Sequence, residues 1–147
     1  TRGLRSRAAF KLMQLDDRYK LLKSGDSVVD LGAAPGGWTQ VAVDRVGAEK
    51  GKGKVLAVDI LEMEPMPGAA VMQLDFTEDD ADEKVKAALG GPANAVISDM
   101  AAPTTGHRQT DHLRIVMMCE LALAFAIDVL APDGVFRGKN EMTEGEE

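Results

Sequence analysis

The sequence predicts an α/β domain in which a mainly parallel sheet is flanked by helices. Short apolar runs alternate along the chain with segments of helical spacing. Those runs are apolar at successive positions rather than at every second one, as strands covered on both faces are. Several of them end in or feed a carboxylate, at Asp30, Asp59 and Asp99, with Asp75 just past a third run.

The elements follow in order. Residues 6–22 place Ala9, Leu12, Met13, Leu15 and Tyr19 at helical spacings, and Ser24-Gly25-Asp26 ends that helix. Residues 27–31 read as a short buried strand stopped by Gly32, after which Pro35-Gly36-Gly37 is loop and residues 38–46 resume helical spacing. A glycine- and lysine-rich turn at 47–53 leads to a second strand at 54–59. A third strand is expected at 69–74, a helix at 79–89, a fourth strand at 93–99 and a long helix at 112–130. Pro132-Asp133-Gly134 then turns into a fifth strand at Val135-Phe136. There is no internal repeat and no low-complexity tract.

The 147 residues suit a single domain: a basic helical arm over 1–23, a ligand-binding core over 24–136 and an acidic end over 137–147. A doubly wound sheet usually continues past its fifth strand, so the C-terminal strands are expected to be missing. The 45% hydrophobic content excludes a disordered chain. No window nears the roughly 18 consecutive apolar residues of a membrane span, and TRGLRSRAAFKL lacks the apolar stretch of a secretory signal. The one cysteine, Cys119, excludes a disulfide framework and a zinc ribbon, so a reducing, cytoplasmic setting is expected. A net charge of −7 argues against a generic nucleic-acid binder, but its distribution reverses that reading. Residues 1–23 sum to +5, from Arg2, Arg5, Arg7, Lys11, Arg18, Lys20 and Lys23 against Asp16 and Asp17, leaving −12 for the rest. Such asymmetry fits a domain that meets a polyanion on one face; a solvated helix face is the plainer alternative.

In open α/β sheets ligands bind outside the carboxyl ends of the strands, so the four acids can converge on one crevice. The loop Asp30-Leu31-Gly32-Ala33-Ala34-Pro35-Gly36-Gly37-Trp38 is built of small residues that let backbone approach a ligand closely. Its Gly32-x-x-x-Gly36-Gly37 spacing is not the G-x-G-x-x-G that cradles a dinucleotide pyrophosphate, which also wants no anions nearby. A crowd of carboxylates suits instead a ligand with a cation and ribose hydroxyls, as S-adenosylmethionine has. Asp59 is placed for the ribose diol, and Asp75 can accept from the adenine amino group. Capping and loop solvation are the structural alternatives for each acid singly.

The segments Ser6-Arg7-Ala8-Ala9-Phe10-Lys11-Leu12, Val29 through Trp38 and Ser98-Asp99-Met100-Ala101 resemble the FtsJ/RrmJ family, over about residues 4–134. The resemblance implies a Rossmann-like S-adenosylmethionine-dependent methyltransferase fold and methyl transfer to a ribose 2′-OH of RNA. The branch most resembled acts on a uridine of large-subunit (23S) ribosomal RNA; members acting on transfer RNA or messenger RNA caps share the core. The implied cofactor set is Gly32, Ala33, Ala34, Pro35, Gly36, Gly37, Trp38, Asp59, Ile60, Asp75, Phe76 and Asp99. The implied partner is ribosomal RNA or the large subunit, with the chain a monomer and no membrane involved.

The family's catalytic set is Lys-Asp-Lys-Glu, whose first two members match Lys11 and Asp99. A ribose 2′-OH is a poor nucleophile that must be positioned and relieved of its proton as it attacks. An amine serves as that base only where burial or a neighbouring positive charge eases loss of its own proton. The second lysine has two placements: an ungapped alignment of A-P-D-G-V-F puts it at Lys139, whereas aligning Val135-Phe136-Arg137-Gly138 with the family's V-F-Q-G deletes it. The final Glu lies beyond residue 147 in the family, and Glu141 and Glu144 stand too close to replace it. A truncated or degenerate module that binds cofactor and RNA without turnover is therefore the first rival, and a nicotinamide-dependent oxidoreductase the second.

Arg2, Arg5 and Arg7 flank Lys11, which places phosphate contacts beside the reacting ribose. His107, His112 and Asp111 lack a third firm ligand, so no metal is expected. Met63, Met66, Met72, Met100, Met117 and Met118 are expected to fill gaps in a core with few aromatics, and Met100, following Asp99, is also placed to touch cofactor. Trp38 is expected to pack the first loop against the sheet, and Cys119 to be an inert helix residue.

Overall fold

The computed structural model describes residues 8–99 and 105–138. Its elements are α1 (Ala8–Tyr19), β1 (Ser27–Leu31), α2 (Gly37–Val46), β2 (Lys54–Asp59), β3 (Ala69–Gln73), α3 (Ala81–Leu89), β4 (Ala93–Ser98), α4 (Arg108–Val129) and β5 (Leu130–Gly138). The strands form one sheet of order β3-β2-β1-β4-β5, every neighbouring pair parallel. The order turns back at β1, so the loops after β1 and β4 diverge to opposite sides and open a crevice.

The pleat sorts the core into two halves. Val28, Val55, Ala57, Ala95 and Ile97 join Ala9, Leu12 and Leu15 of α1 and Val41, Ala42 and Val46 of α2 on one face. Val29, Leu31, Leu56, Val58 and Val96 meet α3 and α4 on the other, through Val85, Leu89, Phe125 and Val129. Phe76 packs edge-on against Phe125, centroids 5.6 Å apart. The connection from β2 to β3 carries no helix, and Met63 and Met66 fill the α1/α2 side of the core there, as expected of gap-fillers.

The first helix packs closely on α2 and ends at Tyr19, short of the expected residue 22. Asp16, 3% exposed, stops it: Asp16 Oδ1 accepts from Leu22 N–H at 2.7 Å, while Lys20 takes a left-handed φ of 54°. Arg45 of α2 reaches Asp16 Oδ2 at 3.4 Å and donates to Asp17, which lifts the guanidinium pKa, through the Asp17 hydrogen bond above all.

Three expectations need correcting. The third strand is not covered on both faces, because β3 is a sheet edge with Val71 exposed. The turn at Pro132-Asp133-Gly134 does not precede the fifth strand but lies within it. Ala93 pairs Leu130 and Ala95 pairs Val135, so those residues bulge out between paired positions. Met117 is exposed rather than a core filler: with Leu113 and Leu121 it forms an apolar stripe at i, i+4, i+8 on α4. Met72 and Met118 are half-buried, and Met100 lies outside the described residues.

Candidate active site

Parity along the pleat brings the acids together. Asp30 shares a face with Val28, Asp59 with Val55 and Ala57, and Asp99 follows the parity of Ala95 and Ile97. All three therefore stand on the α1/α2 side, the side on which Lys11 is carried, half-buried, by α1. Leu31 pairs with Val58 on one flank and Ser98 on the other, so Gly32 lies between Asp59 and Asp99. Gly32 takes φ 69°, and Gly32 and Ala33 N–H both donate to Val58 O, at 2.8 and 3.2 Å, which bends the loop back over β2. The Ala34–Pro35 bond is cis. Gly36 then starts α2 at φ 117°, a backbone conformation that a side chain resists.

Asp30 is the innermost of the acids and is completely buried. Its Oδ2 accepts the Thr39 hydroxyl at 2.7 Å, while Oδ1 is buried and accepts no hydrogen bond among the described residues. Burial pushes its pKa up to about 7; the Thr39 bond opposes the rise, and the charges of Asp99 and Asp59 add to it. Asp59 works differently: Oδ2 accepts from Ala34 N–H and Oδ1 from Leu61 N–H, each at 2.9 Å, so it clamps the β1 loop to the segment after β2. Each oxygen keeps further acceptor capacity. Asp75, just past β3, has its pKa lowered by the Thr77 hydroxyl and backbone N–H, both held on Oδ1.

Of the other sequence-predicted residues, Trp38 is 2% exposed in the core shared with α1, so its ring packs the loop against the sheet. Ile60 is 62% exposed beside Asp59, a large apolar side chain left at the mouth of the crevice, while Phe76 is half-buried. A cleft of about 560 Å³ opens alongside, lined by Ala34, Pro35, Leu61, Glu62, Met63 and Glu64. Arg2, Arg5, Arg7 and Lys139 lie outside the described residues. His107 and His112 are exposed at the start of α4, where Asp111 Oδ1 accepts from Thr105 N–H and hydroxyl. Cys119 is half-buried on α4. Sequence reasoning passed over Thr39, whose signal was a hydroxyl on the first turn after the glycine pair, and the lining residues Leu61, Glu62 and Glu64, while Met63 was expected only as a gap-filler.

The residues fit a cationic nucleoside ligand: buried and clamped carboxylates gather on one face, one with an oxygen left over, next to an exposed apolar side chain. Sheet order, acidic strand ends and small-residue loop together define a Rossmann-like domain of the methyltransferase type. The chain belongs to the FtsJ-like methyltransferase family, which matches residues 4–147. It is 63% identical over 139 residues to a ribosomal RNA large subunit methyltransferase E of Paramagnetospirillum magneticum, covering 93% of this chain and 57% of the relative. It is 62% identical over 137 residues to the same-named protein of Afipia carboxidovorans, covering 93% and 61%. A solved structure described as a ribosomal RNA methyltransferase of Plasmodium falciparum superposes with a TM-score of 0.77 at 31% identity, over 90% of this chain and 75% of that one. The chain thus spans 57–61% of the length of these curated relatives.

Proposed function

We propose that the chain is the S-adenosylmethionine-binding and catalytic core of an RNA ribose 2′-O-methyltransferase acting on a uridine of large-subunit (23S) ribosomal RNA. The observation that carries this reading is the placement of Asp30, Asp59 and Asp99 on the sheet face that also carries Lys11, in a chain of the FtsJ-like family. The names of its relatives support ribosomal RNA as substrate.

In this reading the loop from Gly32 to Trp38 lies along the cofactor, with the positive-φ turn at Gly36 letting backbone come close. Asp59 accepts from the ribose diol with the capacity left after its two backbone bonds. Asp75, ionised and held by Thr77, accepts from the adenine amino group, with Ile60 and Phe76 against the base. When bound, the cofactor supplies a methyl group on a sulfonium. The Lys11 amine takes the 2′-OH proton as the oxygen attacks in line, and Asp99 orients Lys11 while favouring positive charge electrostatically. Lys139 is the candidate second lysine. Arg2, Arg5 and Arg7 hold phosphates beside the target, positioning RNA without reading its sequence. The setting is cytoplasmic, the protein is a monomer, and no helix among the described residues is long and apolar enough to cross a membrane.

The test is methyl transfer from labelled S-adenosylmethionine to large ribosomal subunits lacking the modification, by this chain and by one of its relatives' length. Transfer by this chain supports the reading. Cofactor binding with transfer by the longer chain alone makes these residues a binding module. Cofactor binding with transfer by neither points to another RNA, transfer RNA first.

A further inference from the structure

We propose that Asp30 is a charge-sensing positioning residue: it holds a proton in the ligand-free crevice and gives that proton up to solvent when a sulfonium-bearing cofactor binds. The inference rests on the cofactor reading above and concerns how the site tells the charged cofactor from its uncharged thioether product.

Asp30 is fully buried, with one oxygen held by Thr39 and the other accepting nothing among the described residues. A lone carboxylate in such a position carries a large desolvation penalty, which a proton removes. The groups packed around it decide the sign. From β2 comes Asp59 and from β4 Asp99, both acids that raise the cost of a further negative charge. From α2 comes the neutral Thr39, while Asp44 and Arg45 sit further along that helix, Arg45 engaged with Asp16 and Asp17. The α1 helix carries Lys11 on the same side, and the segment after β2 adds the exposed Glu62 and Glu64. This balance favours the neutral acid until a cation arrives.

Bringing a positive charge beside three acids reverses the balance. The Asp30 O–H bond breaks, its electron pair stays on the carboxylate, and the proton leaves to solvent. S-adenosylhomocysteine lacks the sulfonium charge and draws out less of that proton, so affinity for cofactor over product rises with pH. An ordinary exposed aspartate at the same position would already be ionised and could sense nothing in this range.

The experiment is calorimetric titration of the folded chain with S-adenosylmethionine and with S-adenosylhomocysteine, from pH 5.5 to 8, in buffers of different ionisation heat. Cofactor binding should release protons near pH 6.5 and weaken about tenfold between pH 7.5 and 6, with a shallower slope for the product. Asp30→Asn should remove this component of the release and flatten the slope. Thr39→Val, which removes the bond favouring the anion, should move the midpoint to higher pH, and it decides the matter if the Asn variant does not fold. A cofactor-to-product affinity ratio constant with pH, a slope unchanged in Asp30→Asn, or a midpoint unmoved in Thr39→Val overturns the inference while leaving the methyltransferase reading intact. Failure of both ligands to bind overturns that reading, and this inference with it.

Discussion

The Thr39 hydroxyl donates to Asp30 Oδ2 at 2.7 Å across the junction of α2 and β1, both side chains fully buried. The bond fixes where α2 begins relative to the strand end, and so sets the span of the seven residues between Leu31 and Thr39. It also keeps the acid fully buried, which gives the ligand-free chain a pH signature.

The sign of that signature follows from the folded value near 7, raised above the ordinary 3.8. Stability from this group is complete below about pH 4, falls as pH rises towards 7 because only the unfolded chain ionises, and then levels off. Asp30→Asn should therefore gain stability relative to the parent between pH 4.5 and 7.5, by roughly a few kcal/mol. Urea unfolding of the two chains at both pH values measures it; a difference independent of pH refutes the raised value.

Asp16→Ala should loosen α1. The variant leaves the Leu22 N–H without its acceptor and takes one acid from Arg45, a loss of about 2–3 kcal/mol. Denaturation gives the size, and hydrogen exchange should show the loss of protection centred on residues 8–22 rather than on the strands.

Lys11→Ala should abolish methyl transfer while cofactor affinity stays within about twofold. Transfer assays beside S-adenosylhomocysteine titrations separate the two. A large loss of cofactor binding would remove Lys11 from its role as base.

RNA affinity should fall steeply with salt, and neutralising Arg5 and Arg7 should flatten the log–log slope by about 1 per arginine. Filter binding from 50 to 200 mM salt is the measurement, and an unchanged slope would separate the arm from the phosphates.

Much of this architecture was legible because parallel strands buried on both faces leave unmistakable apolar runs: 27–31 and 54–59 match β1 and β2 residue for residue. Element ends were harder where side chains intervene. The helix expected over residues 6–22 runs on past Tyr19, the last of its apolar positions, but the Asp16 carboxylate captures a backbone N–H and ends the helix, an effect periodicity does not register. The long helix starts at Arg108 rather than His112, where Asp111 ties Thr105 to its first turn. At the site, the acids were visible as strand-end residues, but their division of labour was not. Asp30 is sealed and Asp59 spends both oxygens on backbone N–H groups, outcomes that depend on the path of the loop.

The shared pleat parity of Asp30, Asp59 and Asp99 has a consequence for how this domain can change over time. Point substitutions in β1, β2 or β4 disturb packing locally, but losing or gaining one residue inside a strand turns everything beyond it to the opposite face. Deleting a single residue between Val55 and Val58 would leave a parallel sheet and send Asp59 towards α3 and α4, away from Lys11. The strand interiors are thus closed to length variation by the chemistry at their ends, and insertions can accumulate only in turns such as Gly47–Gly53, outside the counting frame that keeps the acids together.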